Sequence, residues 1–192
     1  YAERPAYDDI IQASSGLGML NKRLYGTPGY APMALVDKLV GVMLASSVTT
    51  ALLHRERTGE GQFVEVPMFE AFTAFNLAEH FYGEVLKPPV AEMGYPRHFY
   101  HHRKPFQTKD GYIGFMPNTG NHWFQFFNII GQPELKEDPR FIDTYQRAAN
   151  IEILYSMIGT ALPEKTSEEW LDLFMAADIP CAKVNDLDEL LE

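Results

Sequence analysis

Residues Val36 to Gln62 read VDKLVGVMLASSVTTALLHRERTGEGQ, and they are the starting point for predicting the fold. The run is too long for a strand and is apolar on almost every side, with Ser and Thr as its only mild interruptions. This pattern is typical of a helix buried inside a domain. We therefore predict a buried helix from about Asp37 to Arg57 that ends at the Thr58–Gly61 segment. Because four hydroxyl residues interrupt the apolar run, we do not predict a membrane span.

Asp37 is the single acidic residue at the front of this helix, where the N-cap would be. A carboxylate in that place accepts backbone N–H bonds and feels the positive end of the helix dipole. Position alone favours a simple cap, since Asp is among the commonest N-cap residues. The alternative is a carboxylate held ionised at the wall of a cleft, ready to act as a nucleophile.

The amino-acid composition indicates a protein with a hydrophobic core and limits the kinds of partner it could bind. The chain has 192 residues, 46% of them hydrophobic, which is ample for a core. Its net charge of −10 argues against a nucleic-acid partner, which needs a basic face, and weakly against an anionic membrane surface. The one cysteine, Cys181, excludes an internal disulfide and fits a reducing compartment. We predict a cytoplasmic protein.

The residues around the long helix predict an α/β unit. We predict a short helix over Tyr7–Ser15, a loop rich in glycine and proline over 16–35, a strand over Gln62–Val66 and a helix over Met68–Tyr82. Proline and glycine then recur through residues 83–105, which predicts an interdomain linker. That segment holds His98, His101 and His102. No acid or cysteine stands among them at ligand spacing, so we expect no metal site.

The remaining chain predicts a second unit with both strands and helices. Asp110-Gly111 supplies the turn of a hairpin over 106–116. Asn118 or Thr119 is expected to cap an aromatic-rich helix that ends at Gly131. Further predictions are a helix over Asn150–Leu162, a capping box from Thr166 to Glu169, a strand over Ile179–Val184 beside the hairpin, and a helix starting near Asn185.

Two motifs in combination resemble family III CoA-transferases (CaiB/BaiF), the group of formyl-CoA and carnitine CoA-transferases. The motifs are RERTGEGQ at residues 55–62, directly after the apolar helix, and PAYDDIIQASSG at residues 5–16. The resemblance covers nearly the whole chain. It implies an α/β fold with the C-terminal part of a Rossmann-like large domain at 1–69. A helix and interdomain linker at 70–105, a small α+β domain at 106–184 and the start of a return linker at 185–192 would follow.

Family members are roughly twice this long, and this sequence does not begin with Met. We therefore expect a fragment that lacks the N-terminal half of the large domain. Such a fragment should be inactive alone and should expose apolar surface that the missing part covers.

The resemblance also implies a mechanism. Asp37 would be the nucleophile that carries the acyl group and then CoA, so that CoA passes from an acyl-CoA to a carboxylic acid with no further cofactor. Family members form interlocked dimers, so a homodimer is expected. By analogy, the residues that bind CoA or substrate would be Tyr7, Gln12, Met68, Gly94 and Arg97.

Two other readings of the same residues stay open. Related α-methylacyl-CoA racemases use a His-Asp pair near the first motif, whereas this chain has Tyr7-Asp8-Asp9 there and no His. A non-catalytic homologue that acts through its interfaces is the other reading. The segment Glu92–His98 lacks the glycine run of formyl-CoA transferases, which puts formate or oxalate as substrate in doubt.

Overall fold

Helices dominate the computed structural model, which describes residues 5–191, and one small sheet accompanies them. The chain divides into two compact units, one ending at Phe99 and the other beginning at Tyr100. The division lies within residues 70–105, the range assigned to a helix and linker in the sequence analysis. The fold is therefore mixed α/β and mostly helical.

The described part of the first unit, residues 5–99, contains four α-helices. They are α1 (Asp8–Ser14), α2 (Leu17–Tyr25), α3 (Leu35–Thr58) and α4 (Met68–Leu77), followed by 3-10 turns at Tyr82–Val85 and Pro96–Phe99. Helices α1, α3 and α4 share a small core made by Ile11, Val36, Val40 and Phe72. This core holds the beginning of α3 against α1 and α4.

Helix α3 confirms the predicted helix but corrects its predicted burial. It ends as expected, because Gly59 adopts a φ of +78° and its N–H bonds to the Arg55 carbonyl at 2.7 Å. Only the first two turns are packed, however, and Val42 is 69% exposed and Leu52 48%. The apolar pattern predicts a covered helix, but residues 5–191 supply a cover for its beginning alone.

By length and composition, α3 is the one helix of residues 5–191 that could also cross a membrane. The core helix of a water-soluble protein satisfies the same criteria. Within residues 5–191, the apolar side of α3 beyond its first two turns stays largely exposed.

Two further predictions for the first unit were wrong. The predicted loop over 16–35 contains α2, which lies between two left-handed glycines, Gly16 (φ +92°) and Gly26 (φ +85°). These glycines end helices rather than prevent one between them. The predicted strand over Gln62–Val66 is an irregular segment, because no neighbouring strand in the described chain offers the hydrogen bonds that make a strand.

The second unit places helices against a three-stranded antiparallel sheet. The strands are β1 (Phe106–Gln107), β2 (Tyr112–Phe115) and β3 (Cys181–Lys183), in the order β1-β2-β3. Ile113 pairs with Phe106 on one side and Lys183 on the other. The predicted hairpin and the predicted strand beside it are both confirmed.

The helices of this unit are α5 (Gly120–Ile129), α6 (Thr144–Ala149), α7 (Ile151–Ala161) and α8 (Ser167–Ala176), with short 3-10 turns at Pro133–Glu137, Leu162–Glu164 and Glu189–Leu191. Their core is largely aromatic, and Trp170 donates its indole N–H to the Leu162 carbonyl at 2.7 Å. The last turn occupies part of the predicted helix from Asn185, whose final residue lies outside the described range.

Helix caps in this unit follow the sequence closely. Thr119 begins α5 in a capping box with His122, and Thr166 begins α8 in the predicted box with Glu169. The hairpin turn is joined to α8, since Asp110 Oδ1 accepts the Ser167 N–H at 2.7 Å. Local side-chain chemistry therefore fixes how the sheet and α8 meet.

Candidate active site around Asp37

Asp37 lies in the first turn of α3, with its side chain exposed. The prediction that it is the N-cap is wrong, because α3 begins two residues earlier and the N-cap position is occupied by Ala34, which has no side chain able to cap. Within residues 5–191, no hydrogen bond engages the Asp37 carboxylate. The nucleophile candidate is therefore an uncommitted carboxylate on the first turn of a long helix.

Asp8 supplies the cap that α3 lacks. Its Oδ2 accepts the backbone N–H of Asp37 at 3.0 Å, although Asp8 belongs to α1. The first N–H groups of a helix have no partner within the helix, so an acceptor from elsewhere satisfies one of them. Sequence analysis identified Asp8 only as a member of a motif. No local pattern links an acid on one helix to the start of another.

The charge of Asp8 is stabilised in this position. Burial acts to raise the pKa of Asp8, but hydrogen bonds and a nearby cation outweigh it, so that the pKa lies below its ordinary value. These opposing groups are, in order of effect, the Asp37 N–H, the Gln12 amide, the Val36 N–H and the Lys38 ammonium. Asp8 is therefore ionised at neutral pH, as a charge-assisted cap requires.

Gln12 is fully buried, and its amide has three partners. Its Nε2 donates to Asp8 Oδ1 and to the Met33 carbonyl at 3.4 Å, while its Oε1 accepts the Ala31 N–H at 2.8 Å. Gln12 is also among the residues predicted to contact CoA or substrate. In the structure its side chain connects α1 to the segment that leads into α3.

Tyr7 and Met68 lie near this arrangement in different ways. Tyr7 precedes Asp8 directly and is 72% exposed. Met68, at the start of α4, lines an open groove of 390 Å³ together with apolar residues of α1 such as Ile10. Met68 also packs on the core cluster that contains Val36, so the groove adjoins the elements that carry Asp8 and Asp37.

Gly94 and Arg97 lie on a separate segment. Gly94 is buried with a φ of +114°, and its N–H donates to the His80 carbonyl at 2.7 Å. The Arg23 guanidinium donates to the Met93 carbonyl at 2.8 Å, whereas Arg97 is exposed. No hydrogen bond or ion pair among the described residues joins Gly94 or Arg97 to Asp37.

Glu79, His80 and His98 form a cluster whose ligand atoms lie within 4.8 Å of one another. The Nδ1 of His98 lies 3.0 Å from a Glu79 oxygen, and the Nδ1 of His80 accepts the Tyr95 N–H at 3.2 Å. Because His80 accepts a hydrogen bond at Nδ1, its proton lies on Nε2. A metal ion at Nε2 would displace that proton, and one at Nδ1 would break the hydrogen bond from Tyr95. The cluster therefore holds residues 94–98 by hydrogen bonds.

The second unit has its own groove of 810 Å³, lined by residues of mixed polarity that include His102, Glu152, Lys165 and Trp170. None of the residues predicted to bind substrate lines it. Of the predicted site residues, Asp37 and Gln12 are both joined to Asp8 by hydrogen bonds in the described chain.

This chain is similar to known proteins over nearly its whole length. The family model described as CoA-transferase family III matches residues 1–192. A probable fatty acyl-CoA transferase of Mycobacterium tuberculosis is 32% identical over 92% of this chain and 47% of its own length. Acetyl-CoA:oxalate CoA-transferase of Acetobacter aceti is 34% identical over 98% of this chain and 49% of its own length.

Solved structures give the same picture of the fold. A crystal structure of the mycobacterial protein matches with a TM-score of 0.80 and 28% identity, over 98% of this chain and 49% of that one. A CaiB/BaiF family protein from Brucella suis matches with a TM-score of 0.73 at 22% identity, over 100% of this chain and 50% of that one. The chain spans about half the length of these relatives.

Proposed function

Because this chain belongs to CoA-transferase family III, we propose that it forms part of an enzyme that moves CoA from an acyl-CoA thioester to a carboxylic acid. The observation that carries the proposal is the free carboxylate of Asp37, presented on the first turn of α3 while Asp8 accepts the Asp37 amide. A carboxylate freed from other bonds can attack a carbonyl carbon.

The reaction would proceed in two symmetrical halves. The Asp37 carboxylate attacks the thioester carbonyl, CoA thiolate leaves, and a mixed anhydride forms. The thiolate then attacks the Asp37 carbonyl carbon, which releases the donor acid and leaves an aspartyl-CoA thioester. The acceptor carboxylate attacks this thioester and displaces CoA thiolate again. The thiolate finally attacks the acceptor carbonyl, so that acceptor-CoA departs and the Asp37 carboxylate is restored.

Every bond in this sequence is made by Asp37, CoA or a carboxylic acid, so no other cofactor takes part; CoA is itself the group that is carried. Exclusion of water by a closed site would protect the anhydride and the thioester from hydrolysis. Tyr7 and Met68 are proposed to contact CoA or the acyl chain, supported by the exposure of Tyr7 and the apolar groove beside Met68. Contact of Gly94 and Arg97 with CoA or substrate is also proposed, and only the family resemblance supports it.

The complete protein is proposed to be longer than this chain, because the relatives are about twice its length. The missing part would complete a Rossmann-like large domain whose linker leads to the small domain, and the exposed side of α3 and the irregular 62–66 segment are where it would add cover and a neighbouring strand. We expect the 192-residue chain alone to be inactive. The complete protein is proposed to be a cytoplasmic homodimer without nucleic-acid or membrane partners.

The test uses the full-length protein with acetyl-CoA, succinyl-CoA and a long-chain acyl-CoA, quenched with hydroxylamine. Mass spectrometry then locates the modified peptide. We expect a hydroxamate on Asp37 with at least one donor, and none in Asp37→Asn. CoA binding without any adduct on Asp37 would contradict the covalent route. Exchange of the α-proton with solvent, without a carboxylic acid acceptor, would indicate a racemase instead.

A further inference from the structure

We propose that Asp8 is a positioning residue for Asp37, an inference that rests on the function proposed above. Asp8 holds the backbone of Asp37 in place and, by occupying that N–H, keeps the Asp37 carboxylate free to react. It touches neither substrate nor CoA on this account.

Helix α3 has no side-chain cap of its own at its N-terminus. Ala34 at the N-cap offers no acceptor, so the amides of the first turn must find one elsewhere. Asp37 carries both an amide that needs an acceptor and a carboxylate that could provide one. A first-turn side chain can fold back onto the amides of its own helix start, as the N3 side chain of a capping box does with the N-cap N–H. Without another acceptor, the carboxylate of Asp37 would itself accept hydrogen bonds from the N–H groups at the start of α3.

Asp8 prevents this competition. Its Oδ2 accepts the Asp37 N–H at 3.0 Å, and its charge is held ionised by the surrounding donors. A charge-assisted bond of this kind is roughly twice as strong as a neutral one. The Asp37 carboxylate is accordingly left without a hydrogen bond in the described residues, which is the condition in which it is most nucleophilic.

The buried side chain of Gln12 makes the position of Asp8 definite. Gln12 lies one turn after Asp8 on α1 and donates to its other oxygen, while its remaining bonds go to Ala31 and Met33. A buried amide with all these bonds made has one orientation available. Helix α1, the segment before α3 and the first turn of α3 are thereby fixed relative to one another.

Displacement of a reacting group by about 1 Å can cost about 100-fold in rate. The experiment compares Asp8→Ala and Asp8→Asn in the full-length protein with the control variants Asp9→Ala and Asp9→Asn. Asp9 is the neighbouring acid; it is exposed and makes no side-chain hydrogen bond in the described part of the chain. Each control removes the same charge one residue away.

The readout is the single-turnover rate at which Asp37 becomes a hydroxamate with whichever acyl-CoA of the panel loads the wild type best, per site that binds CoA. We expect Asp8→Ala to slow this rate about 100-fold and Asp8→Asn about tenfold, since Asn retains one oxygen for the Asp37 amide. KM should change less than twofold, and both Asp9 variants should match the wild type. A merely structural role would reduce the number of CoA-binding sites but not the rate per site.

An Asp8→Ala protein that labels Asp37 at the wild-type rate would overturn this inference and leave the proposed function standing. Equal losses in the Asp8 and Asp9 variants would overturn it as well, because they would indicate a general charge effect. If Asp8→Ala does not fold, the labelling rate of Asp8→Asn is compared with that of Asp9→Asn. Equal rates in these two variants would overturn the inference. A wild-type protein that never labels Asp37 would overturn both proposals together.

Discussion

The Asp8 carboxylate accepts the backbone N–H of Asp37 at 3.0 Å, across 29 residues of sequence. One acid therefore serves as the cap of the helix on which the other acid is displayed. A single Asp at the N-cap would use its carboxylate to accept a backbone N–H. Here the Asp8 carboxylate accepts it, and the Asp37 carboxylate remains available for chemistry.

Asp37→Asn should abolish CoA transfer without unfolding the protein. The Asp37 side chain is exposed and no hydrogen bond engages it in the described chain, so its loss costs little stability. An amide cannot form the anhydride, and we expect turnover to fall about 10³-fold or more. Steady-state transfer by the full-length protein measures this, with Asp9→Asn as the control. Residual turnover above a tenth of the wild-type rate would contradict the role.

Asp8 should make the protein sensitive to acid. Its pKa is lower folded than unfolded, so its contribution to the free energy of unfolding is present above the ordinary value near 3.8 and is lost as the pH falls through the folded value. We expect Asp8→Asn to lower the free energy of unfolding by about 1 kcal/mol at pH 7. The difference in this free energy between the variant and the wild type should become smaller below about pH 4. Urea unfolding at pH 7 and pH 3 measures it. A gap that does not depend on pH would exclude the ionised cap.

Gln12→Leu should destabilise the first unit. The substitution keeps the volume but leaves the half-buried Ala31 N–H without its acceptor, which costs about 1–3 kcal/mol. Gln62→Leu is the control, because Gln62 is exposed and should change the free energy of unfolding by less than about 0.5 kcal/mol. If the two variants unfold at the same urea concentration, the three bonds of Gln12 contribute nothing.

His80 should make residues 94–98 more mobile at low pH. Burial first, and then the neighbouring His98, lower the pKa of His80, while Glu79 opposes them. Stability from the neutral ring is present above the ordinary pKa near 6.5 and is lost as the pH falls through the lower folded value. Protonation then replaces the acceptor for the Tyr95 N–H with a donor.

Hydrogen exchange of a peptide covering 93–99, corrected for the intrinsic effect of pH, measures this motion between pH 7 and pH 5. We expect protection to fall at pH 5 in the wild type. In His80→Phe protection should be low at both pH values, and the control His101→Phe should behave like the wild type. Protection in the wild type that is equal at both pH values would show that His80 does not hold the segment.

The exposed side of α3 should make the isolated 192-residue chain self-associate. Val42, Val48 and Leu52 are each at least 41% exposed, and Val48 and Leu52 lie four residues apart on one face of the helix. Light scattering should detect species larger than a monomer, and Val48→Glu with Leu52→Glu should shift them toward the monomer. The control Thr49→Glu with Arg55→Glu changes polar positions of the same helix. A monodisperse monomer would contradict the prediction.

Three predictions that depend on neighbouring residues succeeded, whereas two others of that kind, the Asp37 N-cap and the loop over 16–35, failed. The capping box from Thr166 to Glu169, the hairpin at Asp110-Gly111 and the end of α3 at Gly59 each follow from contacts within a few residues. Two of the failed predictions needed a partner elsewhere in the chain. The 62–66 segment has strand-like alternation but lacks a neighbouring strand in the described chain, and α3 has the composition of a buried helix but lacks a cover.

The candidate site divides in the same way. The family motifs and the position of Asp37 at the front of a long helix can be read from the order of residues, because helix starts and apolar runs are local properties. The pairing of Asp8 with Asp37, and the buried amide of Gln12 that holds Asp8, arise only when α1 packs beside α3. Hydrogen bonds between distant segments depend on distances in space, and spacing along a chain does not encode those distances.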